Sequence, residues 1–367
     1  MITHRLKLCF IALAFALVAS AGHETMKGAG NSGSIEAGLG WSTSTAAKGS
    51  QWFVDQLLMK KTFDVSDKTK VVFNNMFALN SANTGPVQAP AGSGAVNNGN
   101  YYASSATLAV GGYTFSNVGA YLQHECFKNG WTSFGHIPIP LGMESMWDRY
   151  DMASYFYSPM YRFAAAMGWN YDYGMKLLLK DTVPGTLEVA LYDGRAGHPN
   201  AAIAGTYPAG TGGNPGLGLA ARWHNEVKNG DTSFTPVFSI MTRQFAHGTN
   251  QQNLAFTGGT SVKAGTLWGN LEFYYGTANT IGGVVKAWNV MVEPGADFGG
   301  ADVSLKYALN NAKVGAGAAT TDHDLGLAVG HTYNDKLRVK FAYQFMNLSG
   351  KNGTKQHDVR LLLGTKW

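Results

Sequence analysis

The side chains that could perform chemistry in this 367-residue chain do not form an arrangement typical of an enzyme. The ten histidines lack the His-Glu-x-x-His spacing that places two imidazoles on one helix face to bind zinc. The two cysteines, Cys9 and Cys126, are too few for a thiolate metal site. His198 and His247 fall in expected loops, but nothing in the sequence positions a nucleophile beside either. We therefore predict no catalytic residue, no bound metal and no cofactor.

A different kind of chemistry is suggested by one segment that is rich in charged and aromatic side chains. It begins at Gly135, extends to Arg162 and lacks the regular alternation of the flanking sequence. Acidic and basic groups that face each other across a narrow aqueous passage would create a local field and a size limit, because ion selectivity follows the charges that line a pore. The alternative is that these charges only solvate an exposed loop. The candidate constriction residues are Glu144, Asp148, Arg149, Asp151, Tyr155 and Arg162.

The first 21 residues have the organisation of an export signal. Arg5 and Lys7 precede an apolar run of about a dozen residues, and Ala19-Ser20-Ala21 supplies the small residues of a cleavage site. That run is too short to span a bilayer, so we expect a cleaved signal peptide over residues 1–21 and a mature chain over residues 22–367. Loss of two bases and no acid lowers the formal charge from +5 to +3, which is too small a surplus to indicate nucleic-acid binding.

The clearest structural pattern is the alternation of apolar and polar residues near the end of the sequence. Leu361 and Leu363 fall on one face of the expected strand, and Arg360 and Lys366 on the other, with Leu362 the one exception. Successive side chains of a strand point to opposite faces, so this pattern can separate lipid from a water-filled interior. Similar alternation occurs at residues 35–41, 169–180, 217–226, 324–333 and 337–346.

The connections between these segments are of two lengths. Short turns are expected at 66–68, 181–185, 293–297 and 334–335, whereas residues 81–100 and 196–215 form long stretches rich in small and polar residues. We predict an all-β protein: a transmembrane antiparallel β-barrel of about 16 strands, with 14 or 18 as alternatives. It has short periplasmic turns and long extracellular loops. A barrel of this size leaves a water-filled interior.

The segment around Pro140 resembles that of the phosphate-selective porin O and P family. Pro140, Gly142 and Glu144 match a Pro-x-Gly-x-Glu-like turn, with Pro159 and Arg162 near the exit of the following loop. The resemblance implies that this loop folds into the channel and that the protein is a homo-oligomer. A terminal strand ending on Trp367 is similar to the signal read by the outer-membrane assembly machinery.

Basic side chains dominate the positions that this alternation assigns to the interior. We predict a weak preference for anions from this surplus. The alternative is that the bases pair with Glu188, Glu226 or Asp302 and leave no net field. The predicted pore-lining bases are Lys176, Arg222, Arg338, Lys340 and Arg360, together with Lys180 and Lys306.

These features predict a porin in the outer membrane of a Gram-negative bacterium, open to ions and small hydrophilic solutes. Its expected partners are the lipid bilayer, the assembly machinery and further copies of itself. The assembly is a trimer or a larger ring, and a larger ring would enclose lipid because the outer walls are apolar. The alternatives are a plugged surface-structural or adhesin barrel and an outer-membrane barrel enzyme.

Overall fold

The computed structural model describes residues 31–44, 49–54, 57–79, 107–110, 113–143, 146, 171–192, 218–247, 249–280, 283–346 and 355–367. Nearly all of them lie in antiparallel strands. Within these residues there is no helix long and apolar enough to cross a membrane. The strands are β1 (Asn31–Ser44), β2 (Gly49–Val54), β3 (Leu57–Ser66), β4 (Thr69–Leu79), β5 (Thr107–Val110), β6 (Tyr113–Phe127), β7 (Gly130–Pro138), β8 (Tyr171–Val183), β9 (Gly185–Tyr192), β10 (Gly218–His224), β11 (Val227–Asn229), β12 (Thr232–His247), β13 (Thr249–Ala264), β14 (Leu267–Thr280), β15 (Gly283–Asp297), β16 (Ala301–Val314), β17 (Thr320–Tyr333), β18 (Leu337–Met346) and β19 (Gln356–Lys366).

These segments close into one barrel because β1 pairs with β19 on one side and with β2 and β3 on the other. Strands β2 and β3 follow each other along β1, and β10 and β11 follow each other along β12. The short β5 forms a hairpin with the start of β6. The barrel therefore has 16 strands, as the sequence predicts. Closure pairs the first and last strands with each other, so their backbone groups are satisfied without water.

The two faces of the sheet differ as the alternation predicts. On β19, Leu361 points outward and is 53% exposed, whereas its neighbour Arg360 points inward and is 1% exposed. The exception in the pattern, Leu362, also points inward, where it packs with Ala328 and Ala342. An apolar outer face around a polar interior is the arrangement that a membrane barrel requires.

One predicted turn is wrong. Residues 293–297 continue β15, and the chain reverses at Phe298–Gly300, where Gly299 and Gly300 have φ values of 76° and 106°. Pro294 misled the prediction because it marks an interruption inside a strand rather than its end. The β15–β16 ladder lacks the two rungs between Val292↔Tyr307 and Gly295↔Ser304. Proline has no N–H to donate there, although it pairs normally with Gly269 of β14.

The other short turns agree with the sequence. Asn334 and Asp335 have φ values of 50° and 57°, the left-handed conformation that these residue types tolerate. The turn expected at 181–185 is narrower, because β8 continues to Val183 and the reversal falls at Pro184 and Gly185. The expected signal peptide and the expected long loops at 81–100 and 196–215 lie outside the described residues.

Candidate channel interior

The chain that leaves β7 turns into the barrel instead of away from it. We call residues Ile139–Met143 the loop root. The Gly142 N–H donates to Ser239 Oγ of β12 at 3.0 Å, and the Met143 N–H donates to Glu272 Oε1 of β14 at 2.8 Å. Arg222 Nη1 of β10 donates to the Gly142 carbonyl oxygen at 3.0 Å. These three wall residues are buried on inward positions, so the loop root lies against the inner face of the barrel.

Small side chains on the barrel wall make room for the loop root. In six consecutive barrel strands, β9, β10 and β12–β15, one inward residue of each strand pairs with an inward residue of the next strand. We call this set of paired residues the alanine row. Ile139 and Leu141 of the loop root are fully buried in a cluster that includes most of this row. Burying an aliphatic side chain of this size contributes about 1.5–3 kcal/mol. The alanine row consists of Ala190, Ala220, Met241, Ala255, Gly276 and Ala287.

Two glycines allow the close contact between the loop root and the wall. Gly142 has a φ of +71°, and a Cβ at this position would lie 2.7 Å from Glu272 Oε1. On β13, a Cβ at Gly259 would lie 2.7 Å from the Met143 sulfur. Any larger residue at either position requires the loop root or its wall contact to move.

A buried carboxylate joins two of the predicted pore-lining bases. Glu188 of β9 accepts a hydrogen bond from Lys176 Nζ of β8 at 2.8 Å and from Arg222 Nε of β10 at 2.9 Å. Arg222 also reaches the same carboxylate through Nη2. All three side chains are buried. Because Arg222 also donates to Gly142, this triad connects the wall charges to the loop root.

Three of the other predicted bases are also paired. Arg338 Nη2 contacts both carboxylate oxygens of Asp302 at 2.8 and 2.9 Å. Lys340 Nζ lies 2.8 Å from Glu36 Oε2, and Arg360 Nη2 lies 3.6 Å from Asp358 Oδ2. The pairing that the sequence left as an alternative is therefore present for Glu188 and Asp302. Glu226 instead contacts Lys228 at 3.1 Å, where both side chains are largely exposed.

The predicted surplus of basic residues is not present among the buried side chains that the structure describes. Sequence parity identified the bases and left pairing with Glu188 or Asp302 as an alternative, but it did not find the other buried acids. Within the described ranges, six buried bases face six buried acids. The bases are Lys176, Arg222, Lys306, Arg338, Lys340 and Arg360, and the acids are Glu36, Glu188, Glu272, Glu293, Asp324 and Asp358.

A cavity of about 510 Å³ lies at the short-turn end of the interior. Trp268 forms part of its lining, and its indole packs on Gly295, where a Cβ would lie 2.1 Å from the ring. Asn270 Nδ2 donates to Glu293 Oε2 at 3.3 Å in the same wall. The charged lining residues are Glu226, Glu293, Asp297, Asp302, Lys263 and Arg338, so acids outnumber bases at this end.

The structure leaves part of the predicted site untested. Glu144, Asp148, Arg149, Asp151, Tyr155 and Arg162 lie outside the described residues. Their role as a constriction stays a prediction. Across the ranges that the structure does describe, no group of His, Cys, Asp and Glu side chains could hold a metal ion.

Trp367 lies at the seam of the barrel. Its backbone exchanges two hydrogen bonds with Gly33, each 3.1 Å long, and its indole covers the Gly33 Cα so closely that a Cβ would lie 2.5 Å from the ring. The residue therefore helps to join the sheet where β19 meets β1. Its role as an assembly signal stays a prediction.

The wall contacts of the loop root were not found from the sequence. Ser239 and Glu272 are ordinary inward residues of alternating strands, and the alanine row exists only once the strand register is known. The Pro140–Gly142 turn was the one sequence signal that pointed to this place.

No protein-family model matches the sequence, and no curated protein sequence matches it. Solved structures share its fold. OmpT of Vibrio cholerae, an outer membrane protein described in trimer form, has 11% identity and a TM-score of 0.55, over 93% of this chain and 99% of that one. The anion-selective porin of Comamonas acidovorans has 14% identity and a TM-score of 0.53 over the same shares. The outer membrane channel DcaP of Acinetobacter baumannii has 12% identity and a TM-score of 0.55, over 92% and 97%. The chain therefore has the fold of Gram-negative outer-membrane porins.

Proposed function

We propose that this protein is an outer-membrane porin of a Gram-negative bacterium, a channel for passive diffusion of ions and small hydrophilic solutes. The observation that carries the proposal is the contrast between the two faces of a closed barrel. Charged pairs such as Lys340–Glu36 lie on the inner face, while residues such as Leu361 cover the outer face. A soluble barrel has no reason to bury its charges and expose its apolar side chains.

The loop root supports a size limit on the solutes. It enters the barrel at Pro140 and is fixed to three strands of the wall. A segment held inside a barrel of 16 strands reduces the free cross-section of the lumen. We propose that the residues that follow it, from Glu144 to Arg162, form the narrowest part of the channel.

We propose a weak preference for anions rather than a strong one. The triad of Lys176, Glu188 and Arg222 carries two positive charges and one negative charge next to the loop root. The described buried acids and bases are equal in number, which keeps the net electric field small. The acidic cavity at the short-turn end opposes the preference for anions. The solved anion-selective porin of similar fold agrees with this direction. We also propose that the protein belongs to the phosphate-selective porin O and P family, which the segment around Pro140 resembles. The proposal does not include a preference for phosphate.

We further propose that the protein is a homo-oligomer, because a protein of the same fold has been solved as a trimer. A trimer or a larger ring with enclosed lipid would both fit an apolar outer wall. Cross-linking in detergent followed by mass determination would give the subunit number, and a projection image with tightly packed trimers would contradict the larger ring.

One observation favours a second candidate function, a plugged surface barrel. The side chains of Lys340, Arg360 and Asp358 are inward but have at most 1% exposure, so this part of the wall is covered. A barrel that is covered along its whole length would display loops and conduct nothing.

Single-channel conductance in a planar bilayer under a salt gradient tests both functions. We expect discrete current steps that scale with salt, and a reversal potential of small size whose sign indicates anions. A large reversal potential of either sign would contradict the weak preference. Silence from correctly folded protein would contradict the porin and favour the plugged barrel or a barrel enzyme.

A further inference from the structure

We propose that Glu272 is a positioning residue that sets the width of the channel by holding the loop root against the wall, together with Ser239 and Arg222. This inference rests on the proposed porin function. Their position among the lumen charges does not by itself imply this role. These residues bind the protein's own backbone rather than a solute.

The geometry of the loop root carries the first step. Two consecutive residues, Gly142 and Met143, make three hydrogen bonds with side chains of three different strands. Each bond engages a backbone N–H or C=O group, and all three side chains are buried. Backbone groups in an irregular segment need partners when they are removed from water. The wall therefore replaces the hydrogen bonds that a strand or helix would have supplied.

The position of the Glu272 hydrogen bond carries the second step. The Met143–Glu272 bond, at 2.8 Å, joins the wall to the residue that directly precedes Glu144, the first of the candidate constriction residues. Loss of this bond frees the point from which the constriction segment starts.

The support behind Arg222 carries the third step. Its guanidinium group is held by Glu188, which is held in turn by Lys176. The donor to the Gly142 carbonyl is therefore fixed in orientation by a buried ion pair. Glu272 on β14 accepts a hydrogen bond from the Met143 N–H and Arg222 on β10 donates one to the Gly142 carbonyl, so two strands hold the loop root at the same place.

The glycine at position 142 fits this role. Its φ of +71° lies in the left-handed region, and a Cβ would lie 2.7 Å from the Glu272 carboxylate. The contact thus depends both on the conformation of the loop root and on the absence of a side chain.

The test separates an anchor from a simple lumen charge. Single-channel currents are recorded with the full chain for wild type, E272A, E272Q and S239A, in the presence of neutral polyethylene glycols of graded size. The matched control is E293A, which removes an inward glutamate from the adjacent strand β15, where its hydrogen-bond partner is Asn270. Folding is checked by the shift in gel mobility on heating.

We expect E272A to admit larger polymers than wild type and to show a noisier open state. E272Q keeps an oxygen that can accept the Met143 N–H, so its polymer cutoff should stay close to that of wild type. E293A should change the reversal potential about as much as E272A but leave the cutoff unchanged. If E272A fails to fold, S239A tests the same anchor without a change in charge and should widen the cutoff.

The proposal is overturned if folded E272A keeps the wild-type cutoff, or if E272Q widens it as much as E272A does. If E272A does not fold, an unchanged cutoff in S239A overturns it. A wild-type protein that conducts nothing contradicts the porin function itself, which is a different outcome from conducting variants with an unchanged cutoff.

Discussion

Replacing Glu188 by glutamine should destabilise the barrel more than any exposed charge substitution. Glu188 is 3% exposed and accepts hydrogen bonds from Lys176 and Arg222, both of which are buried. The substitution removes the carboxylate that both of these buried cations contact. Removing one partner of a buried ion pair costs about 3–5 kcal/mol, because the remaining charge stays out of water. We expect a loss in this range for E188Q.

The matched control for this prediction is E226Q. Glu226 contacts Lys228 at 3.1 Å, but these side chains are 49% and 68% exposed. Exposed ion pairs contribute about 0.2–1 kcal/mol, so E226Q should stay within that range. The two variants change the same functional group in the same way and differ in burial.

The measurement is equilibrium unfolding by urea of the detergent- or lipid-folded protein, followed through the fluorescence of its nine tryptophans. The free energies of unfolding are compared between variants whose free energy falls with the same slope as the urea concentration rises. A loss below about 1 kcal/mol for E188Q, similar to E226Q, would refute the reasoning, because it would mean that the triad is hydrated rather than buried.

Three further predictions concern single residues. G142A should lower the free energy of unfolding by about 1–2 kcal/mol from the left-handed φ of this residue alone. Urea unfolding would measure this loss. An unchanged stability would contradict the tight contact with Glu272. L361R should lower the unfolding free energy in lipid vesicles by about 2–4 kcal/mol if this exposed residue lies near the bilayer centre; a neutral effect would place it away from lipid. G33A should slow the formation of the heat-modifiable folded band, because the new methyl group meets the Trp367 ring, and wild-type folding kinetics would argue against a tight seam.

The sequence predicted the faces of the strands well because the pattern has a period of two residues. Arg360 and Leu361 could be assigned to opposite sides of the barrel from their order alone, and even Leu362 kept its inward position. Local chemistry also predicted the turn at Asn334 and Asp335, since these residue types tolerate positive φ. Proline and glycine were a less certain guide, because Pro294 interrupts a ladder without ending the strand.

The pairing of charges could be predicted only in part, because most pairs depend on the register between strands. Lys340 and Glu36 come from opposite ends of the sequence, and no local pattern connects them. The same is true of the alanine row, whose members are separate residues, most of them small, until the strands are aligned. The predicted surplus of interior bases therefore left out acids such as Glu36, which only the strand register brings to the bases.

The contact between Lys340 and Glu36 has a consequence for how the protein is made. Lys340 lies on β18 and Glu36 on β1, and between them Gly364 of β19 presents no side chain at the position opposite Glu36. The ion pair thus bridges over an intervening strand and joins three strands across the seam. It forms only when the first and last strands have paired. The ion pair therefore stabilises the closed barrel and not a partly formed sheet. A chain stalled one strand short would have two open edges and would lack this ion pair.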